Sequence, residues 1–178
     1  MIISSIHHFV ASEFGLIIRG GISSKYSCIT DNFILGEGIV EAHKLEKDIA
    51  IYPRVILESS IINDELYEII TRHYRDNDLD FISKDCDGYY FVNYLALLQY
   101  IPPMIGKAFK KEIERLGEEK YMFKLKRDVL EKYKEIVING LKTTNEKVRI
   151  KYNWLDNYLK RVCLNKDFLE NIKLELGE

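Results

Sequence analysis

The run from residue 16 to residue 58 constrains the fold more than any other part of this 178-residue chain. It opens with an apolar stretch that predicts a strand, and Gly20 and Gly21 lie inside that strand. After Gly36, apolar residues recur at helical spacing. Residues 53–57 predict a second strand, because proline is tolerated at a strand's first positions. The run therefore predicts a strand, a helix and a strand, with the apolar side of the helix against a sheet.

The segments on either side extend this pattern. Residues 1–14 place apolar side chains at helical spacing and predict a helix before the first strand. His7 and His8 are neighbours in that helix and point about 100° apart, so we expect at least one of them to face solvent. Residues 81–95 predict a β-hairpin, because the turn sequence Asp85-Cys86-Asp87-Gly88 lies between two apolar runs.

The C-terminal part of the chain is predicted to be helical. Its apolar residues recur in steps of three and four, and Gly117 and Gly140 are the expected interruptions. Pro102-Pro103 breaks the pattern and is the best candidate for a boundary. Together these patterns predict an α+β fold.

Several segments of the chain are similar to one known family. They are Ile18-Arg19-Gly20-Gly21-Ile22, Gly36-Glu37-Gly38-Ile39-Val40-Glu41-Ala42-His43-Lys44-Leu45-Glu46, Ala50-Ile51-Tyr52-Pro53-Arg54-Val55-Ile56-Leu57, Asp85-Cys86-Asp87-Gly88 and Lys151-Tyr152-Asn153-Trp154-Leu155. In them the chain resembles the class III nucleotidyl (adenylate/guanylate) cyclases, and more closely bacterial cyclase-like proteins related to the pyrimidine cyclases of antiphage defence. The resemblance implies a partial ferredoxin-like cyclase domain at residues 1–101 and a helical region at residues 104–178 packed on it.

The resemblance also implies a reaction and its cofactor. Class III cyclases convert a nucleoside triphosphate to a 3′,5′-cyclic nucleotide, using two metal ions held by two aspartates upstream of the strand that here carries Arg19. Neither aspartate has a counterpart in the residues that precede this strand. Metal ions supply several kcal/mol of charge stabilisation in such reactions. We therefore expect no cyclase activity and no metal from this chain alone, and magnesium or manganese in an active longer form.

Four residues are candidates for contact with a nucleotide on their own chemistry. Glycine within a strand marks a bulge or a close approach by a backbone or a ligand, so Gly20 and Gly21 are compatible with either. A charged residue within an apolar run needs a partner or a ligand. Arg19 and Arg54 therefore predict either phosphate contacts or ion pairs with neighbouring acids.

The resemblance adds one candidate and two departures. Aligned on Gly36, Lys44 stands where the cyclases have an arginine, and Val40 stands where they have an asparagine. Lysine offers a positive charge but cannot reproduce the bidentate guanidinium fork. Lys25 is a further departure, because the bacterial set has a glycine at this place.

Two functions stay open. The first is a nucleotidyl cyclase-like protein, inactive as this chain, whose longer form would make a cyclic nucleotide from a bound triphosphate. The second is a degenerate cyclase scaffold that acts as a protein-interaction or regulatory module. An apolar edge at residues 16–18, left without a neighbouring strand, invites another chain to pair with it. We therefore expect a homodimer or another protein partner that covers this edge.

Composition limits the other classes. Residues 1–103 carry 8 Lys and Arg against 15 Asp and Glu, and residues 104–178 carry 18 against 13. The basic residues of the tail are interleaved with glutamates, which is typical of a solvated helix face and argues against nucleic acid as a partner. No apolar run reaches the roughly 18 residues of a membrane span, and no signal peptide is recognisable. The three cysteines lie far apart and predict reduced thiols. We expect a cytoplasmic protein without membrane contact.

One group of acidic residues has part of the spacing of a calcium-binding loop. Asp76, Asp78 and Asp80 alternate as the first ligands of a calcium loop do. Phe81, however, stands where such a loop needs glycine for its sharp turn. The group therefore predicts a solvated loop.

Overall fold

The computed structural model confirms the predicted α+β class. It describes residues 2–74, 81–95 and 110–163. The elements in chain order are α1 (Ile2–Phe14), β1 (Gly20–Ile22), β2 (Cys28–Ile29), β3 (Ile34–Leu35), α2 (Glu37–Lys44), β4 (Val55–Leu57), α3 (Asp64–Tyr74), β5 (Ile82–Lys84), β6 (Tyr90–Val92), α4 (Lys110–Leu116), α5 (Glu118–Leu141) and α6 (Glu146–Cys163).

The chain divides into two compact units. The sheet unit is Ile17–Asn93. The helical unit joins Met1–Leu16 to Tyr94–Glu178, so helix α1 belongs with the C-terminal helices. The expected boundary at Pro102-Pro103 lies outside the described residues, and the division into residues 1–101 and 104–178 stays a prediction.

The sheet unit is built on four strands in the order β1-β4-β6-β5. β1 is parallel to β4, with Gly20 opposite Val55 and Ile22 opposite Leu57. β4 and β5 are both antiparallel to β6. β1 lies at an edge, and no described strand pairs with its other side. This is the edge next to the residues that the sequence predicts another chain will cover.

Helix α2 connects the edge of the sheet to its centre. It follows a small hairpin formed by β2 and β3, and a π-helical turn, Leu45–Ile49, extends it. Leu45 is buried, and α2 packs on β1. The predicted helix after Gly36, with its apolar side against a sheet, is confirmed.

The core of the sheet unit lies around the two central strands. Ile56 of β4 and Phe91 of β6 face each other in the sheet register, and neither has exposed surface. A neighbouring cluster contains Leu57 and Tyr90, against which Tyr67 of α3 packs. Burial of side chains of this size stabilises a fold by roughly 1.5–3 kcal/mol each. The short strands are therefore held chiefly by packing across β4 and β6.

The predicted β-hairpin at residues 81–95 is confirmed. β5 and β6 pair with Ser83 opposite Phe91. In the turn, the amide of Gly88 donates to the carbonyl of Asp85 at 3.0 Å, and the amide of Asp85 donates to the carbonyl of Tyr89 at 3.0 Å. The turn thus presents Asp85 and its neighbours at one end of the sheet.

In the helical unit, α1 and α6 both pack on α5. The predicted break at Gly117 is confirmed, since it separates α4 from α5. Gly140 lies in the last turn of α5, where the helix is predicted to end. None of the helices in the described part of the chain is long and apolar enough to cross a membrane.

The core of the helical unit is aromatic. Tyr94, Tyr133 and Tyr158 are almost fully buried. The ring of His7 stacks on Tyr94 with centroids 4.1 Å apart, and the hydroxyl of Tyr133 lies 3.3 Å from Nδ1 of His8. Burial raises the pKa of all three tyrosines. The side of α1 that faces the core therefore places two imidazole rings against the phenol rings of these tyrosines.

The prediction that His7 or His8 faces solvent is wrong. His7 is buried, and the Nε2 atoms of both rings are buried without a hydrogen-bond partner in the described part of the chain. The pKa of each histidine is lowered to about 4, chiefly by burial, and repulsion from His8 contributes to the lowered pKa of His7. Both imidazoles are therefore neutral at pH 7.

Acid is expected to destabilise the helical unit as the pH falls from 6.5 towards 4. In the unfolded chain the histidines bind protons near pH 6.5, whereas the folded unit keeps them neutral to about pH 4. The unfolded state binds more protons in this window, so the free energy of unfolding falls by up to about 1.4 kcal/mol per pH unit for each histidine. Urea unfolding, followed by the fluorescence of Trp154 from pH 7 to pH 5, measures this slope.

His7→Phe provides the control for this experiment. It keeps an aromatic ring against Tyr94 and removes one titrating group. The variant should show a shallower dependence on pH than the wild type. An unfolding free energy that is constant from pH 7 to pH 5, or the same slope in both proteins, would contradict the assignment.

Candidate functional site

The five residues predicted to contact a nucleotide all lie in the sheet unit. The structure brings four of them together at the pairing of β1 with β4, where the amide of Gly20 donates to the carbonyl of Arg54 at 3.2 Å. Arg19 and Gly21 flank Gly20 in the chain. Lys44 lies apart from them at the C-terminal end of α2.

Arg54 is fully buried and bound to two carboxylates. Its Nη1 donates to Asp85 and, at 3.0 Å, to Asp87, and its Nη2 also donates to Asp87. The guanidinium carbon lies 5.1 Å from the centre of the Tyr52 ring. Of the two alternatives that the sequence left open for Arg54, the structure contains the ion pair.

Arg19 also has an acidic partner, although it is less buried. Its Nε lies 2.6 Å from Oε1 of Glu46, and its Nη1 donates to the carbonyl of Ala50 at 3.4 Å. These contacts link the residue before β1 to the π-helical turn after α2. The positive charge is balanced within the sheet unit, as it is at Arg54.

Gly21 allows α2 to lie directly on β1. A Cβ atom at this position would lie 2.4 Å from the carbonyl oxygen of Ala42 and 2.6 Å from Cβ of Leu45. A Cβ atom at Gly20 would make only ordinary contacts with Val55. The close approach that glycine predicted is therefore made at Gly21 by the backbone of the chain's own helix.

A cleft of about 580 Å³ opens along α2, from Glu37 in its first turn to Lys44 at its end. Nζ of Lys25 and Nζ of Lys44 lie 3.6 and 3.7 Å from the same carboxylate oxygen, Oε2 of Glu41. Gly36 forms one wall and has a φ of +137°, and a Cβ atom there would lie 2.4 Å from the carbonyl oxygen of Tyr26. The complete lining is Lys25, Leu35, Gly36, Glu37, Val40, Glu41 and Lys44.

Only some of the residues that line this cleft could be predicted from the sequence. Lys44 was predicted as a site residue, and Lys25 was noticed only as a departure from the bacterial set. Glu41 was missed. Its position one turn before Lys44 is a signal for an ion pair within a helix, but nothing in the sequence places Lys25 beside it.

The hairpin formed by β2 and β3 exposes apolar side chains on both of its faces, with Ile29 opposite Ile34 on one face and Leu35 on the other, beside the cleft. These side chains, called the hairpin patch below, are Ile29, Phe33, Ile34 and Leu35. Each has between 54% and 68% of its surface exposed, and Leu35 also lines the cleft. Groups of adjacent exposed apolar side chains on a protein often mark interaction sites.

Residues that could hold a metal ion are not grouped in the described part of the chain. No set of three or more His, Cys, Asp or Glu side chains is suitably placed there. Asp85 and Asp87 are bound to Arg54. The acidic group at Asp76, Asp78 and Asp80 lies outside the described residues.

Comparisons of the chain with protein-family models, with curated proteins and with solved structures find no match.

Replacing Arg54 is expected to destabilise the sheet unit strongly. Arg54→Met leaves the buried Asp85 and the partly buried Asp87 without their cation, and removing one partner of a buried ion pair costs about 3–5 kcal/mol. Hydrogen–deuterium exchange at the amides of β4 and β6 measures the loss in this unit alone.

Arg19→Met is the matched control, because its ion pair with Glu46 is partly exposed. Exposed and partly exposed pairs contribute at most about 1 kcal/mol. The control should therefore change exchange in β4 and β6 by less than about tenfold. Equal effects of the two substitutions would show that the buried pair does not hold the sheet unit together.

Proposed function

We propose that this chain is a nucleotidyl cyclase-like scaffold that acts by binding another protein and is not itself catalytic. The sequence resemblance supports the scaffold. The observation that carries the rest is that both arginines predicted to contact phosphate are bound to carboxylates of the chain itself. A cytoplasmic location is part of the proposal.

The chemistry around Arg54 is unfavourable for a triphosphate. The ligand would have to replace Asp85 and Asp87 at a guanidinium that has no exposed surface. The two displaced carboxylates would then lie beside the phosphates, and like charges at short range are strongly unfavourable where water is excluded. Arg54 is therefore better suited to holding the sheet than to binding a nucleotide.

The hairpin patch is the surface that we assign to the protein partner. Leu35, the member of the patch that lines the cleft, is accompanied there by both signs of charge, Lys25 and Lys44 with Glu37 and Glu41. An apolar centre with a polar rim is typical of protein–protein interfaces. An anionic membrane surface would instead attract a cluster of basic residues. We therefore infer a partner protein with an apolar surface of its own.

One observation favours a second candidate function, the binding of a nucleotide in the α2 cleft. Lys25 and Lys44 direct two ammonium groups to one point of the cleft, 3.6 and 3.7 Å from Oε2 of Glu41, and ammonium groups are suited to binding phosphate. A longer form of the chain with magnesium or manganese would then convert a nucleoside triphosphate to a 3′,5′-cyclic nucleotide.

Thermal unfolding with ATP, GTP, CTP or UTP, each with manganese, separates the two functions. A ligand at a hundred times its dissociation constant stabilises the folded state by about 2.7 kcal/mol. The scaffold proposal predicts no shift with any nucleotide. A shift that Lys25→Ala and Lys44→Ala remove, and that Lys47→Ala outside the cleft retains, would favour the second candidate.

Site-specific photocrosslinking tests the hairpin patch in the source cell. A benzoylphenylalanine in place of Phe33 should crosslink to one other protein, because Phe33 is an exposed member of the patch, whereas the same probe at exposed Tyr89 should not. Ile34→Ser should remove the crosslink and weaken binding of the purified partner by more than about tenfold. Equal crosslinking from both probes, or binding that Ile34→Ser leaves intact, would contradict the proposal.

A further inference from the structure

Helix α1 presents its polar side to the core and its apolar side to solvent. The residues that it buries are Ser4, His7 and Ala11. The large apolar residues that it exposes, called the α1 stripe below, are Ile2, Ile6, Phe9 and Phe14. A helix that packs on a core as a monomer normally has the opposite arrangement. We therefore expect the apolar face of α1 to be covered by a binding partner.

The stripe is continuous along the helix. Ile2, Ile6 and Phe9 are four and three residues apart and so lie on one face. The ring of Phe14 contacts the ring of Phe9 edge to face, with centroids 5.9 Å apart. Phe14 joins the face of Ile2, Ile6 and Phe9 through this contact, and Glu13, four residues after Phe9, lies at the C-terminal end of the same face.

The exposed area of the α1 stripe is similar to that of the apolar patches through which proteins bind partners. Its members are between 48% and 79% exposed. At roughly 150–250 Å² for a large apolar side chain, the stripe offers about 400–600 Å². That equals the largest apolar patch on a typical monomer, and such patches are often functional.

The charge of α1 indicates what covers the stripe. Glu13 is the only acidic residue between Ile2 and Phe14, and the helix has no lysine or arginine. Helices that lie on anionic membranes carry basic residues along their polar face, so α1 is poorly suited to that role. A second α1 presents no charge to the centre of the stripe, and is therefore complementary to it.

We propose that the α1 stripe binds the α1 stripe of a second copy of this chain, with the two helices antiparallel about a two-fold axis. In this arrangement Ile6 lies opposite Phe9 of the partner subunit. Glu13 lies beside the N-terminal end of the other helix, where the helix dipole favours a negative charge. A parallel arrangement would instead place the two Glu13 carboxylates at the same end. The surface is separate from the hairpin patch, and the inference does not rest on the proposed function.

The area also predicts the strength of the dimer. Two stripes would bury about 800–1,200 Å² in total, which is below the range of stable specific interfaces and within that of weak, transient ones. The dimer should therefore form and dissociate in the micromolar range rather than be permanent.

Sedimentation velocity of the untagged full chain from 1 to 200 µM is the test. The wild type should shift from monomer to dimer across this range, and Phe9→Ser should raise the dissociation constant at least about 30-fold. Phe9→Leu keeps the apolar surface and should retain the dimer within about tenfold. Ile34→Ser, in the hairpin patch, should leave the dimer unchanged, and circular dichroism checks that all the variants are folded.

Glu13→Gln tests the orientation. It should weaken an antiparallel dimer a few-fold, because a favourable contact with a helix N-terminus is lost, whereas relief of repulsion would strengthen a parallel dimer. The proposal is overturned by a wild type that stays monomeric at 200 µM, or by a dimer that Phe9→Ser leaves intact, which would indicate pairing through β1. Binding of the wild type to lipid vesicles that Phe9→Ser removes would also overturn it.

Discussion

The buried ion pair between Arg54 and the carboxylates of Asp85 and Asp87 fixes two distant parts of the sheet unit against each other. It joins the residue before the central strand β4 to the turn between β5 and β6, about thirty residues further along the chain. A buried charge is tolerated only when its partner is in place. The ion pair therefore fixes β4 and the β5–β6 turn relative to each other. β1 pairs with β4 and α2 packs on β1, so the positions of both depend on β4.

The elements of the fold could be predicted because their signals are local. Helical periodicity with a break at Gly117, and a turn sequence between two apolar runs, correctly gave α4, α5 and the β5–β6 hairpin. The partner of Arg54 could not be predicted in the same way. The sequence shows that a guanidinium in an apolar run needs an acid or a ligand, but the choice of Asp85 depends on how a distant hairpin packs.

The candidate site was predictable only as a set of residue types. Gly20 and Gly21 indicate a close approach, and the sequence cannot tell a ligand from the chain's own backbone, since both need the same absence of Cβ. At Gly21 the carbonyl of Ala42 takes that space. His7 shows the same limit. The tyrosines that enclose it come from distant parts of the chain, so its burial could not be predicted from its own helix.

Some polar side chains of this chain are buried and some large apolar side chains are exposed, which reverses the usual distribution. The sheet unit buries Arg54 and the helical unit buries His7, while Phe9 and Ile34 have more than half of their surface exposed. Each buried polar group contributes little net stability even when it is paired. Each exposed apolar side chain forgoes about 25 cal/mol for every Å² left in water. Association through those side chains would recover that free energy, so the apolar surface that each unit leaves in water favours binding to another chain.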